Sequence, residues 1–207
     1  MSRLILLRHG NTFEEGAPCV QIGSQTDLPL TSFGKEQIKK IAEALIKTST
    51  TPHRFFSGPL KRHKESMEIL ARSFQSSYEV IPALNEIDYG PWEGLSIEEI
   101  EKKWPQESRE WSMESKWQPS VFKSSFEEHF KQLHDWFETL SSENLTIVAV
   151  TSGGILRLLH RKKVKTAHLC ELFLSSEKVE QGVWGVGPDE FCSISPVKTQ
   201  VITRWAF

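Results

Sequence analysis

Cysteine is scarce in this chain. Cys19, Cys170 and Cys192 are the 3 among 207 residues, far apart and without a Cys-x-x-Cys pair. An odd, scattered set argues against a disulfide framework and for idle or structural thiols in a reducing compartment. Long apolar runs are missing as well. The first, Leu4 to Leu7, is too short for a signal-peptide core, and none approaches the ~18 residues that span a bilayer. A soluble, cytoplasmic protein without membrane attachment is expected. Net charge is small, at −2, which argues against a broad electrostatic grip on nucleic acid or an anionic membrane. An anionic partner would have to enter a local basic pocket. No internal repeat, low-complexity tract or linker divides the chain, so residues 1–207 are expected to form one domain.

What is present is an alternation of strand and helix signals. Leu4-Ile5-Leu6-Leu7 and Leu145 to Val150 are continuous apolar runs of the kind buried on both faces of a parallel sheet. Shorter strands are expected at 54–57 and 78–81, with others near Leu172, Phe191 and Val201. Between them, Thr31 caps a segment carrying Ile38, Ile41, Ala42 and Leu45 at helical spacing. Pro59 is placed to open a second helix through Met67 and Leu70. Capping-box spacings occur at Ser96/Glu99 and Ser125/Glu128, the latter before an amphipathic run from Phe126 to Leu140. A further helix follows Gly153. The pattern predicts a three-layer α/β/α sandwich with a mostly parallel central sheet. Residues 11–30 read as a long loop. Segment 96–122, with Trp104, Trp111 and Trp117, reads as a lid or insertion in which these rings pack rather than line a pocket.

In an open α/β sheet, ligands bind beyond the carboxyl ends of the strands. Two polar clusters fall there: Arg8-His9-Gly10-Asn11-Thr12, and Thr151-Ser152-Gly153-Gly154 at the foot of a helix, where glycines and backbone N–H groups attract anions. Leu-Leu-Arg8-His9-Gly10 after an N-terminal strand resembles the histidine phosphatase, or phosphoglycerate mutase-like, superfamily. Three further segments follow in that family's order. They are Pro29-Leu30-Thr31-x-x-Gly34-x-x-Gln37, Ser57-Gly58-Pro59-Leu60-Lys61-Arg62, and Leu84-Asn85-Glu86 through Gly90-Pro91-Trp92-Glu93-Gly94.

The resemblance implies a phosphatase acting on a small phosphorylated metabolite through a phosphohistidine. His9 would be the nucleophile, with its other ring nitrogen held by a backbone carbonyl. Arg8 and Arg62 would clamp the phosphate, as a guanidinium fork suits a dianion. Glu86, rather than its neighbours Asp88 or Glu93, would be the general acid and then base. Asn11, Thr12, Ser152 and Gly153 are further expected phosphate contacts. The scheme requires no metal and no cofactor, and the seven histidines show no metal-ligand spacing.

One departure stands out. The family pattern expects a second histidine where Ser152 stands, and a hydroxyl carries no positive charge. Three outcomes follow: the site works with Ser152 and two arginines, another histidine such as His160 or His168 enters the pocket, or the site binds phosphate and turns over poorly. If a missing cation limits the rate, Ser152→His should raise turnover. Ser152 also reads as an ordinary helix N-cap, Arg62 as a solvated charge between Lys61 and Lys64, and His53, His63, His129 and His134 as solvent-facing. The rival functions are a mutase moving phosphate between hydroxyls and a non-catalytic phospholigand-binding protein.

Overall fold

Leu4, Ile5, Leu6 and Leu7 have no solvent exposure at all, and the sheet is built outward from them. The structure, a computed structural model, describes residues 1–141, 144–160, 163–175, 179–193 and 200–202. Its strands are β1 (Ser2–Arg8), β2 (Arg54–Ser57), β3 (Glu79–Val80), β4 (Thr146–Thr151), β5 (Leu169–Leu174), β6 (Val179–Val186) and β7 (Gln200–Ile202). They form a 7-stranded sheet in the order β3-β2-β4-β1-β5-β6-β7. The first four in that order run parallel, and β5, β6 and β7 join antiparallel.

Helices cover both faces: α1 (Ser32–Lys47), α2 (Lys61–Ser73), α3 (Ile97–Lys103), α4 (Pro105–Arg109), α5 (Phe126–Ser141), α6 (Gly153–His160) and α7 (Pro188–Ser193). The period-2 geometry of the strands divides their side chains between the layers. Leu4, Leu6, Phe56, Ile147 and Ala149 pack with Leu133, Phe137 and Leu156 of α5 and α6. Ile5, Leu7, Phe55, Val148 and Val150 pack with Ile38, Ile41, Met67 and Leu70 of α1 and α2. The expected α/β/α sandwich is therefore the observed architecture.

Register gathers the functional segments. Arg8 lies beside Thr151 across β1 and β4, and Ser57 lies beside Val150 across β2 and β4. His9, Gly58 and Ser152 thus leave the sheet along one carboxyl edge. The loop after His9 is then fastened to α1. Thr31 N donates to Asn11 O at 3.0 Å, Asn11 N donates to Gln37 Oε1 at 2.9 Å, and Thr31 Oγ1 caps the helix by accepting from Gly34 N at 3.0 Å.

Several local expectations shift. Helix α2 starts at Lys61, with Leu60 rather than Pro59 at its boundary. The strand expected at 78–81 shrinks to Glu79–Val80. Phe191 lies in α7, not in a strand. Pro188 followed by Asp189 and Glu190 is a helix-opening sequence, since proline is preorganised for the first turn and acids favour its dipole. Strand β6 was not anticipated, because Gly182 and Gly185 break up its apolar pattern. Ser96 and Glu99 do form a full capping box. Ser125 Oγ accepts from Glu128 N at 3.3 Å. Segment 96–122 folds as α3, α4 and a π-helical turn over Glu110–Glu114. Its Trp111 and Trp117 each stand edge-on to Phe122 at 5.1 Å, so these rings pack, as expected.

The central strand has no slack. Leu6→Ala is expected to cost about 2–5 kcal/mol of unfolding free energy, measured by urea denaturation. A loss below about 1 kcal/mol would mean that β1 is not the packed centre of the sheet.

Candidate functional site

His9 is 2% exposed, and its placement is backbone work. Its N–H extends the ladder by donating to Thr151 O at 3.1 Å, while its ring Nδ1 lies 2.8 Å from Gly10 O. A carbonyl only accepts, so Nδ1 carries the proton and Nε2 keeps a free lone pair. Burial, then the charges of Arg8, Arg62 and neighbouring His63, hold the ring well below the usual histidine range. At neutral pH it is an uncharged imidazole with a bare nitrogen.

Two guanidinium groups flank it. Arg62 is fully buried. It donates from Nη1 to Thr26 O at 2.7 Å and from Nη2 to Gly23 O at 3.0 Å, both in the loop that follows His9. Arg8 donates from Nη1 to Val164 O at 2.6 Å. Its guanidinium lies over Gly153, where an added Cβ would come within 3.1 Å of it. The Nε atoms of both arginines are buried with no partner among the described residues. Buried donors are normally paired, so two orphaned cationic N–H groups in one place ask for an anionic acceptor.

Glu86, 5% exposed, follows the 3-10 turn Pro82–Leu84. Its carboxylate accepts from Ile87 N at 2.9 Å and from Gly154 N, in the first turn of α6, at 3.4 Å. Burial pushes its pKa up, and the pull of Arg62, these backbone donors and Arg8 offsets only part of that. A carboxyl that holds its proton longer than usual is suited to proton donation. The other two acids of this block have structural work. Asp88 accepts from Gly90 N at 2.9 Å, and Glu93 accepts from Thr26 Oγ1 at 2.6 Å.

Of the sequence-derived candidates, Arg8, His9, Arg62, Glu86, Ser152 and Gly153 are gathered at one edge. Asn11 is turned into its own loop, donating from Nδ2 to Phe13 O at 2.6 Å. The half-buried Thr12 side chain has no hydrogen bond among the described residues. His160 stacks on Trp184 at 4.8 Å and His168 bonds Thr166 O, so neither of the two histidines named for the second of the three outcomes folds back into the pocket.

The reading of His63 as solvent-facing is overturned. His63 has no exposure, its ring centroid lies 5.6 Å from that of His9, and its Nε2 is 2.6 Å from Ser152 Oγ. Position, not composition, explains this: His63, Met67 and Leu70 share one face of α2, spaced at i, i+4 and i+7. Of the other three, His53 and His134 are exposed and His129 is half-buried beside Trp117. Tyr89 was also missed. It is buried near Glu86, and burial with the nearby carboxylate raises its phenol well above the usual range. Among the described residues no three His, Cys, Asp or Glu side chains group as metal ligands, and no helix is long and apolar enough to cross a membrane.

The sequence profile described as histidine phosphatase superfamily (branch 1) matches residues 4–170. Phosphoserine phosphatase 1 of Hydrogenobacter thermophilus is 33% identical over 114 residues, 54% of this chain and 51% of that protein. Glucosyl-3-phosphoglycerate phosphatase of Mycolicibacterium vanbaalenii is 26% identical over 167 residues, 76% of this chain and 72% of that one. Among solved structures, a mycobacterial glucosyl-3-phosphoglycerate phosphatase superposes with a TM-score of 0.76 at 22% identity, covering 89% of this chain and 99% of its own. That likeness is one of fold.

The buried imidazoles tie stability to pH. In the unfolded chain both titrate near 6.5, and in the folded chain both resist protonation. Each therefore withdraws stability as pH falls from about 6.5, by at most about 1.4 kcal/mol per pH unit. Glu86, with its raised pKa, acts in the opposite sense. The two histidines are expected to prevail, so Tm should fall between about pH 6.5 and 5, and less steeply in His63→Gln. An unchanged slope in that variant would show that His63 does not resist protonation.

Proposed function

Because this chain belongs to the histidine phosphatase superfamily (branch 1), we propose that it hydrolyses small phosphomonoesters through a phosphohistidine on His9. The observation that carries this reading is the pair of orphaned, buried guanidinium N–H groups beside an imidazole whose Nε2 is bare. In this scheme Arg8 and Arg62 hold the phosphoryl oxygens, and Gly153 allows the group to approach Arg8 closely. His9 Nε2 attacks phosphorus as the ester P–O bond breaks. The Glu86 carboxyl gives its proton to the departing alkoxide. Water then attacks the phosphohistidine, its proton returns to Glu86, inorganic phosphate leaves, and neutral His9 is restored. Phosphoryl transfer relies mainly on such positioning and charge neutralisation.

Asn11 and Thr12 join the phosphate contacts only if their loop turns inward on binding. Segment 96–122, which packs against Tyr89 beside Glu86, is read as the cover that selects the ester group. The substrate class, small phosphorylated metabolites, is that of the named relatives. The chemistry calls on no metal ion. Soluble residence in a reducing cytoplasm fits the free thiols of Cys19 and Cys170.

A panel of phosphoserine, 3-phosphoglycerate, glucosyl-3-phosphoglycerate and p-nitrophenyl phosphate, assayed with a chelator present, tests the proposal. The parent is expected to release inorganic phosphate from at least one substrate, and His9→Ala to release none. Isomerised phosphoglycerate without phosphate release would instead mark a mutase, and loss of activity to the chelator would mark a metal-dependent route. Arg62→Ala should lower kcat/KM by about 10²-fold or more. Glu86→Gln should lower turnover of alkyl phosphates by about 10²–10⁴-fold. It should affect p-nitrophenyl phosphate less, because nitrophenolate leaves without a proton. Equal losses on both substrate types would remove Glu86 from the acid role.

A further inference from the structure

The His63–Ser152 contact has no place in the scheme above. Ser152 sits at the tip of β4 among the site groups. His9 bonds the residue before it, Arg8 lies over the residue after it, and Glu86 accepts from the N–H of Gly154. Its hydroxyl makes no helix-capping bond; its one side-chain partner among the described residues is His63 Nε2. An ordinary N-cap would accept from the second or third N–H of its own helix.

The proton on His63 can be placed. Its Nδ1 is buried without a partner among the described residues, facing Gly58. A Cβ on Gly58 would come within 2.2 Å of that nitrogen, so the glycine makes room for the ring. A buried N–H without an acceptor is rarer than an unfilled lone pair. Nδ1 is therefore bare, and Nε2 carries the hydrogen that Ser152 Oγ accepts. The ring stays neutral, held there by burial and by Arg62 and Lys64. With its oxygen engaged, Ser152 keeps its own hydroxyl proton to give to a third group.

We propose that His63 and Ser152 form a donor relay onto the phosphoryl group. His63 Nε2–H donates to Ser152 Oγ, and Ser152 Oγ–H donates to a phosphoryl oxygen. No covalent bond changes and no proton is transferred in this relay. Ser152 is the contacting group and His63 the positioning residue, polarising the hydroxyl from a second element of the fold. Two residues, one on α2 and one just past β4, thereby supply the hydrogen-bonded contact that the family pattern places in a single histidine. The inference rests on the phosphatase reading, but its test does not depend on turnover.

Orthovanadate, which copies five-coordinate phosphorus, is titrated into the full chain and its variants, alongside p-nitrophenyl phosphate kinetics. Ser152→Ala and His63→Leu are each expected to weaken vanadate binding and lower kcat, on the order of 10²-fold. The double variant should be no worse than either single change, since both break one chain of donors. His63→Gln, whose amide N–H reaches toward Ser152, should recover most of the loss. Ser152→His in the otherwise unchanged chain should be slower than the parent, because His63 already occupies the space.

Losses that multiply in the double variant, a Ser152→Ala protein that binds vanadate like the parent, or a faster Ser152→His protein would each overturn the relay. His63→Gln behaving like His63→Leu would reduce His63 to packing and overturn it equally. Should His63→Leu fail to fold, the Ser152→Ala and His63→Gln results decide alone. The vanadate pattern intact in a parent without turnover would sink the phosphatase reading and leave the relay standing. A parent that binds no vanadate would end both.

Discussion

Two guanidinium groups held beside a neutral imidazole, with no carboxylate pairing either among the described residues, set the terms for the rest of this molecule. Burying a cation costs several kcal/mol unless its donors are met. Arg62 is met only in part, by the carbonyls of Gly23 and Thr26, and Arg8 by that of Val164. Both keep an Nε–H with no partner among the described residues. The fully buried β1 core and the two helical layers supply the hydrophobic stabilisation against which such strain is tolerable. Burial and then the same charges keep His9 deprotonated, and those charges restrain the rise that burial causes in the pKa of Glu86. The proposed nucleophile, acid and clamp are therefore one electrostatic arrangement rather than three separate features.

Much of this was legible because the recognisable segments are local devices. Thr31 and Gln37 can be read from sequence since one caps α1 and the other holds the backbone of Asn11. Leu4 to Leu7 reads as a buried strand because nothing polar interrupts it. Glu86 was distinguishable from Asp88 and Glu93 by its place after Leu84, and the structure gives those two acids to a turn and to Thr26.

What escaped was non-local. His63 stands between Arg62 and Lys64, in a stretch whose charge suggests a solvated helix face. The signal against that reading was its spacing with Met67 and Leu70, which places it on the buried side of α2. Its partner Ser152 lies 89 residues away, a separation that periodicity cannot bridge. Strand β6 was hidden for a different reason. Two glycines removed the side chains that would have drawn its alternation, and its pairing with β5 is set by neighbours rather than by its own pattern.

The same non-local logic joins the proposed phosphate clamp to the segment proposed to select the ester. Thr26 takes part twice: its backbone oxygen accepts from Arg62, and its hydroxyl donates to Glu93. Glu93 closes the block that begins with Glu86 and passes through Tyr89. Tyr89 in turn packs on Trp111, whose carbonyl accepts from Arg157 of α6 at 3.0 Å. Packed rings and hydrogen bonds thus connect segment 96–122 to Tyr89 beside Glu86, and Thr26 connects Glu93 to Arg62. Loop 11–30 and segment 96–122 are both anchored to the groups proposed to hold the phosphate. On the proposed function, selectivity for the ester and grip on the phosphoryl group are therefore expected to change together.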